Sequence, residues 1–181
     1  MNYPPFNSPS ANGKLPKDWT KKESELYFLW LTNNMIPRTD ELLLFFGLTY
    51  ATSPDVLLVN VQDKVEHHIK SDEFTYEIDG KKKLTDSGYA LAADLGLLVA
   101  RILIERGEGH IKWEILKKSR LARSNNLPVF IGVDGEYLDP IDVSISECVW
   151  IANGNKSPNA WLNIYTYWSS RMSKNGPTKC N

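Results

Sequence analysis

One segment constrains this chain more than any other. From Tyr89 to Ile104 apolar residues cover almost every helical face. A helix that rests on a core from one side shows an apolar stripe; one that is apolar all round must be surrounded by other elements. Its start is well specified. Thr85 is placed to accept a helix amide, and Leu84 and Tyr89 are spaced for a hydrophobic staple. Gly107-Glu108-Gly109 ends it. The run is shorter than a bilayer requires and carries Asp94 and Arg101, each costly in hydrocarbon. It is therefore expected at the centre of a globular fold, with no role in a membrane.

The rest of the chain must supply what packs around it. Thr20 and Glu23 form a capping box, and Leu26, Tyr27, Trp30, Leu31 and Met35 follow at helical spacing. Pro37 predicts a break or kink, with a second helical stretch to Phe46 and a left-handed stop at Gly47. Ser53-Pro54-Asp55 opens another helix to Lys70, in which Leu58, Val61, Val65 and Ile69 share a face. The β-branched content of Val56 to Val61 leaves a strand open for its first half.

Phe74 to Ile78 reads as a short strand before an Asp79-Gly80 turn. After the central helix, His110 to Leu116 switches to period two. Val129 to Val133 and Glu136 to Leu138 flank Asp134-Gly135 as a hairpin. Ser144 and Glu147 form a second capping-box pattern, for a helix closed by Asn153-Gly154. Ser157-Pro158 starts a last helix, with Trp161, Tyr165, Trp168 and Met172 on one face. The expected fold class is α+β: helices around one central apolar helix, with a small antiparallel sheet. Residues 1–18, with four prolines, read as an extended arm that can lie on the body through Tyr3 and Phe6. Residues 19–172 form a single domain, and 173–181 a loose tail.

Composition narrows the function classes. A formal charge of −1 gives no global drive toward nucleic acid, so any such binding must be local, and of the two basic clusters, Lys81 to Lys83 and Lys112 to Arg123, the second is the candidate for it. The N-terminus lacks the basic start and apolar run of an export signal, and the two cysteines, Cys148 and Cys180, do not make a disulfide framework. A reducing, cytoplasmic location is expected. His67, His68 and His110 lack the spacing of metal ligands, and Cys148 sits in an apolar stretch where a buried, inert thiol is the usual case. No phosphate loop, nucleophile elbow or zincin motif occurs, so neither a cofactor, a metal nor a catalytic set is expected.

Two charge patterns remain. On the central helix Ser87, Asp94, Arg101 and Glu105 fall along one polar seam. Such a seam supports either a carboxylate–arginine pair lining a cleft, as in a small enzyme or ligand-binding domain, or a satisfied network facing a loop or solvent, and the second is the commoner outcome. Between Asp55 and Asp79 the chain is acidic, with Asp63, Glu66, Asp72, Glu73, Glu77 and Asp79 as candidate partner-binding residues; Lys81 to Lys83 then reverse the sign. An acidic surface suits a basic protein partner, such as a nuclease toxin.

Leu84 to Gly132, with its DLG helix, its KW strand at Lys112-Trp113 and its NLPVFIG segment at Asn126 to Gly132, resembles an uncharacterised family of small bacterial α+β proteins. The LDPI run at Leu138 to Ile141 and the opening WTKKESELYFLWL helix are similar as well. Some members are thought to be immunity proteins of polymorphic toxin systems. The resemblance spans about two-thirds of the chain on residues that serve folding, and it departs at Ala100, where members often carry glycine. It implies a non-enzymatic interaction protein, an immunity protein or antitoxin, and carries over no functional residue.

Overall fold

A computed structural model describes residues 3–9, 13–50, 53–107, 111–117, 123–132 and 135–172. The fold is α+β, with five helices and two small antiparallel sheets among the described residues. Helix α1 spans Lys21–Phe46, α2 Pro54–His68, α3 Asp86–Arg106, α4 Pro140–Ala152 and α5 Ala160–Met172. Strands β1 (Thr75–Ile78) and β2 (Lys81–Leu84) pair as a hairpin; β3 (Trp113–Ile115), β4 (Pro128–Ile131) and β5 (Tyr137–Leu138) form a three-stranded sheet in the order β3-β4-β5.

Helix α3 occupies the centre that its apolarity requires. Every residue from Ala90 to Leu103 is buried, and α1, α4 and α5 pack around it. At 21 residues α3 outruns the apolar segment Tyr89 to Ile104 and is, by length and composition, long and apolar enough to cross a membrane, yet most of it is enclosed by protein. Thr85 caps it as expected, its Oγ1 accepting from the Gly88 amide at 3.1 Å. The staple is one-sided: Leu84 is buried while Tyr89 is exposed. At Gly96 the neighbouring helix comes so close that a Cβ would stand 2.6 Å from the Pro140 carbonyl oxygen and from Ile141 Cα. Backbone contact of that kind leaves no room for a side chain.

Several expectations change. Pro37 does not end a helix, because α1 runs unbroken through it. The proline is on the exposed side, while Thr39, Leu42 and Leu43 beyond it are buried in the fold, so packing holds the helix together across the missing amide. Leu26 is exposed, and the buried line is Tyr27, Leu31, Arg38 and Leu42. Val56 to Val61 is helical throughout, within α2. The segment Lys81–Leu84, which carries no strand pattern in the sequence, is strand β2. It forms because a strand needs only one partner and a buried end residue, here β1 and Leu84.

Helix α4 starts earlier than the Ser144 capping box. Asp139 is the N-cap and Pro140 the first helical residue, and Ser144 lies inside the helix, where its hydroxyl accepts from Trp161 Nε1 at 3.1 Å. The last helix starts at Ala160 rather than directly at Ser157-Pro158. Val133 and Asp134 of the expected hairpin turn, His110, most of the basic run after Lys117, and the tail 173–181 lie outside the described residues.

The N-terminal arm packs on the body. Tyr3 is only 3% exposed, edge-on to Phe45 and Phe74. Phe6 meets Trp30 edge-on and lies under the Arg38 guanidinium. A single turn of 3-10 helix, Pro16–Asp18, leads into α1.

Candidate functional site

The polar seam of α3 divides into two separate centres. Asp94, fully buried, pairs with Arg38 of α1 and not with Arg101. Arg38 donates from Nε to Oδ1 at 2.5 Å and from Nη2 to Oδ2 at 2.7 Å, and the Tyr3 hydroxyl donates to Oδ2 at 2.6 Å. The same guanidinium donates from Nη1 to the Pro5 carbonyl at 2.9 Å, so the arm closes over the pair. Burial pushes the Asp94 carboxyl up to about 6 against the lowering pull of Arg38, and burial beside Asp94 pushes the Tyr3 phenol far up. This centre is saturated and sealed.

Arg101, one helical stretch further along, serves a different set. It donates to Thr39 Oγ1 at 2.8 Å, Asp40 Oδ1 at 2.6 Å and Glu105 Oε1 at 3.0 Å, and its guanidinium lies 3.7 Å from the Tyr50 ring centroid. Tyr50 donates to Glu105 Oε2 at 2.5 Å. Ser87, half-buried near the start of α3, belongs to neither network. The Asp94–Arg101 pair that the cleft reading of the seam requires is not formed, and Asp94 faces neither loop nor solvent, because each group meets an opposite charge on α1.

The six acidic candidates are all exposed. Asp63 and Glu66 are on α2, Asp72 and Glu73 on the turn after it, and Glu77 and Asp79 on the β1–β2 hairpin. Folding uses some of them: Glu66 accepts from Gln62 at 2.6 Å, and Glu73 accepts from the Tyr3 amide at 2.9 Å. The hairpin register sets Glu77 opposite Lys82, so the sign change along the chain becomes a mixed surface at that edge. Asp63 lines a shallow hollow with Leu48, Asn60, Lys64 and His67. His68 packs on Phe45 and Phe46, and burial lowers its pKa. Among the described residues no cluster of His, Cys, Asp or Glu has the geometry of a metal site. Cys148 is fully buried, and burial pushes its thiol well above the usual range.

A second buried carboxylate lies at the opposite end of α4 from the hairpin. Asp139 is 7% exposed; its Oδ1 accepts from the Asp142 amide at 3.0 Å, and its Oδ2, itself enclosed, accepts no well-aligned hydrogen bond among the described residues. It lines a cleft of about 110 Å³ with Tyr27, Leu127, Pro128, Ile141, Asp142 and Ile145. Burial pushes its carboxyl up to about 6, offset in part by the Asp142 amide and the Ser124 side chain. Asp139 carries only a weak sequence signal, the Asp-Pro start of a helix. Arg38 carries a clearer one, a cation seven residues after Leu31 on the buried line of α1.

Comparison with known proteins places nothing beside this chain: no family model matches it, and neither a curated protein nor a solved structure is significantly similar.

Proposed function

We propose that the protein is a non-enzymatic, cytoplasmic interaction protein of the immunity or antitoxin kind, which docks a basic protein partner on its acidic side. The observation that carries this reading is the fate of the charges. Arg38, Asp94 and Arg101 are consumed by internal pairing, whereas Asp63, Asp72 and Asp79 stand exposed without a side-chain hydrogen bond among the described residues. Exposed, uncommitted carboxylates raise the encounter rate with a cationic surface and discriminate against acidic ones.

The test is co-expression with the product of the adjacent gene, followed by association kinetics on the purified pair. Relief of toxicity is expected, with amide protection across residues 55–79 on binding. The triple variant Asp63→Lys, Asp72→Lys, Asp79→Lys is expected to slow association by about tenfold or more at low salt. A complex that forms equally fast with the triple variant, or that leaves 55–79 unprotected, rules out this surface.

A further inference from the structure

Helix α1 packs one side on α3 and, among the described residues, leaves the opposite side to solvent. Leu26, Leu29, Ile36 and Leu44 all stand exposed there. Among the described residues no other helix exposes more than one large apolar side chain: Val56 on α2, Tyr89 on α3, Trp150 on α4 and Tyr167 on α5 stand alone. Single exposed apolar residues are ordinary, whereas a line of them on one helix marks a contact surface. None of these residues belongs to the acidic set assigned above to a partner, so the face is independent of that reading.

We infer that the outer face of α1 pairs with the same face of a second copy of this chain, the two helices running antiparallel about a two-fold axis at the level of residue 31.

The spacing carries this. Lys22, Leu26, Leu29, Asn33, Ile36 and Asp40 are all exposed and follow one another by four, three, four, three and four residues. That is the seam of a coiled coil, in which such residues share one stripe and meet the stripe of a neighbouring helix. The order of steps reads the same backwards. A reversed copy therefore sets Leu26 against Ile36, Leu29 against Asn33 and Lys22 against Asp40, and the two-fold axis makes each contact twice.

Charge chooses the direction and the occupant. A parallel copy would set Lys22 on Lys22 and Asp40 on Asp40, whereas the antiparallel one joins opposite signs at both ends. A seam whose ends carry opposite charges on a reversible spacing is complementary to itself. Asp40 gives Oδ1 to Arg101 at 2.6 Å, yet its side chain stays 56% exposed and can meet an ammonium as well. Asn33 costs some affinity and fixes the register, as a polar residue in an apolar seam does.

From Lys22 to Asp40 the seam covers about 27 Å at 1.5 Å per residue. One helix on one helix lies at the small end of specific interfaces, but α1 is already folded, so pairing adds no cost of forming it. A Kd of about 10–100 µM is expected.

Sedimentation equilibrium of the full chain from about 1 to 500 µM, under reducing conditions, should show a monomer passing into a dimer. Leu29→Lys and Ile36→Lys should each weaken the dimer at least about tenfold. A chain that stays monomeric throughout, or that assembles beyond a dimer, overturns the inference, as does a dimer that neither substitution weakens. Direction is read by oxidative cross-linking in a Cys180→Ser background. A mixture of the Leu29→Cys and Asn33→Cys proteins should form disulfide-linked dimers faster than either protein alone. A mixture no faster than the single variants overturns the antiparallel register. The cross-linking decides even if a lysine variant folds poorly.

Discussion

Asp94 and Asp139 are the same residue type, almost equally buried, and burial pushes both carboxyls up to about 6. Their surroundings differ completely. Asp94 receives three side-chain donors from two other segments and is covered by the N-terminal arm. Asp139 is held on one oxygen by its own helix and keeps the other without a well-aligned donor among the described residues. Burial sets the penalty on a carboxylate, and the donors brought to it decide whether it becomes a structural joint or stays uncompensated. The first joins the arm, α1 and α3. Among the described residues the second is held by its own helix start and the Ser124 side chain.

Breaking the saturated centre should have the largest effect. Arg38→Met leaves Asp94 buried without its cation, and a loss of about 3–5 kcal/mol is expected in denaturant unfolding. A loss below about 1 kcal/mol would mean that Asp94 takes up a proton when the cation is gone.

The uncompensated centre should respond to pH with the opposite consequence. Because the folded carboxyl of Asp139 titrates near 6, above its unfolded value of about 3.9, the folded state holds its proton more tightly. The stability this gives is full below about pH 4 and is lost as pH rises through 6. Relative to Asp139→Asn, which has no such titration, wild type should lose roughly 3 kcal/mol across that window, leaving the variant the more stable protein at neutral pH. Parallel pH–stability curves for the two would show that Asp139 is not the group titrating.

Tyr3→Phe keeps the ring packing and deletes one donor to Asp94. A loss of about 1.5–3 kcal/mol is expected, as for a hydrogen bond to a charged group, with earlier exchange of the amides in the arm.

The smallest effect belongs to the surface carboxylates. Asp63→Asn and Asp72→Asn should shift stability by no more than about 0.5 kcal/mol in the same unfolding measurement. A larger change would place these groups in the fold rather than in reserve for a partner.

Much of the fold was legible because its signals are local. Thr20, Thr85 and Gly47 fix helix ends through bonds to backbone a few residues away, and all three act as their positions predict. Ser144 shows the limit of such signals. Its pattern is a capping box, but Asp139-Pro140 supplies an earlier start, and the serine serves Trp161 instead. Pro37 shows the same limit from the other side, since tertiary packing carries α1 across a residue that discourages helix.

The candidate sites were less legible, because pairing is not a property of spacing. Asp94 and Arg101 share a helix face, yet each is satisfied from α1, by Arg38 and by Thr39 and Asp40. The aligned acidic run stays exposed as expected, but the hairpin brings Lys82 back beside Glu77.

The apolar cylinder of α3 had to be central whatever surrounded it, since water penalises each exposed methylene and Ala90 to Leu103 offers no polar face wide enough to meet it. That much belonged to the sequence. Which arginine neutralises Asp94, that Tyr3 covers the pair, and that Asp139 is buried without a cation among the described residues were decided only by the tertiary structure. Electrostatic satisfaction depends on distances of about 3 Å between groups tens of residues apart, and only the packed fold sets those distances.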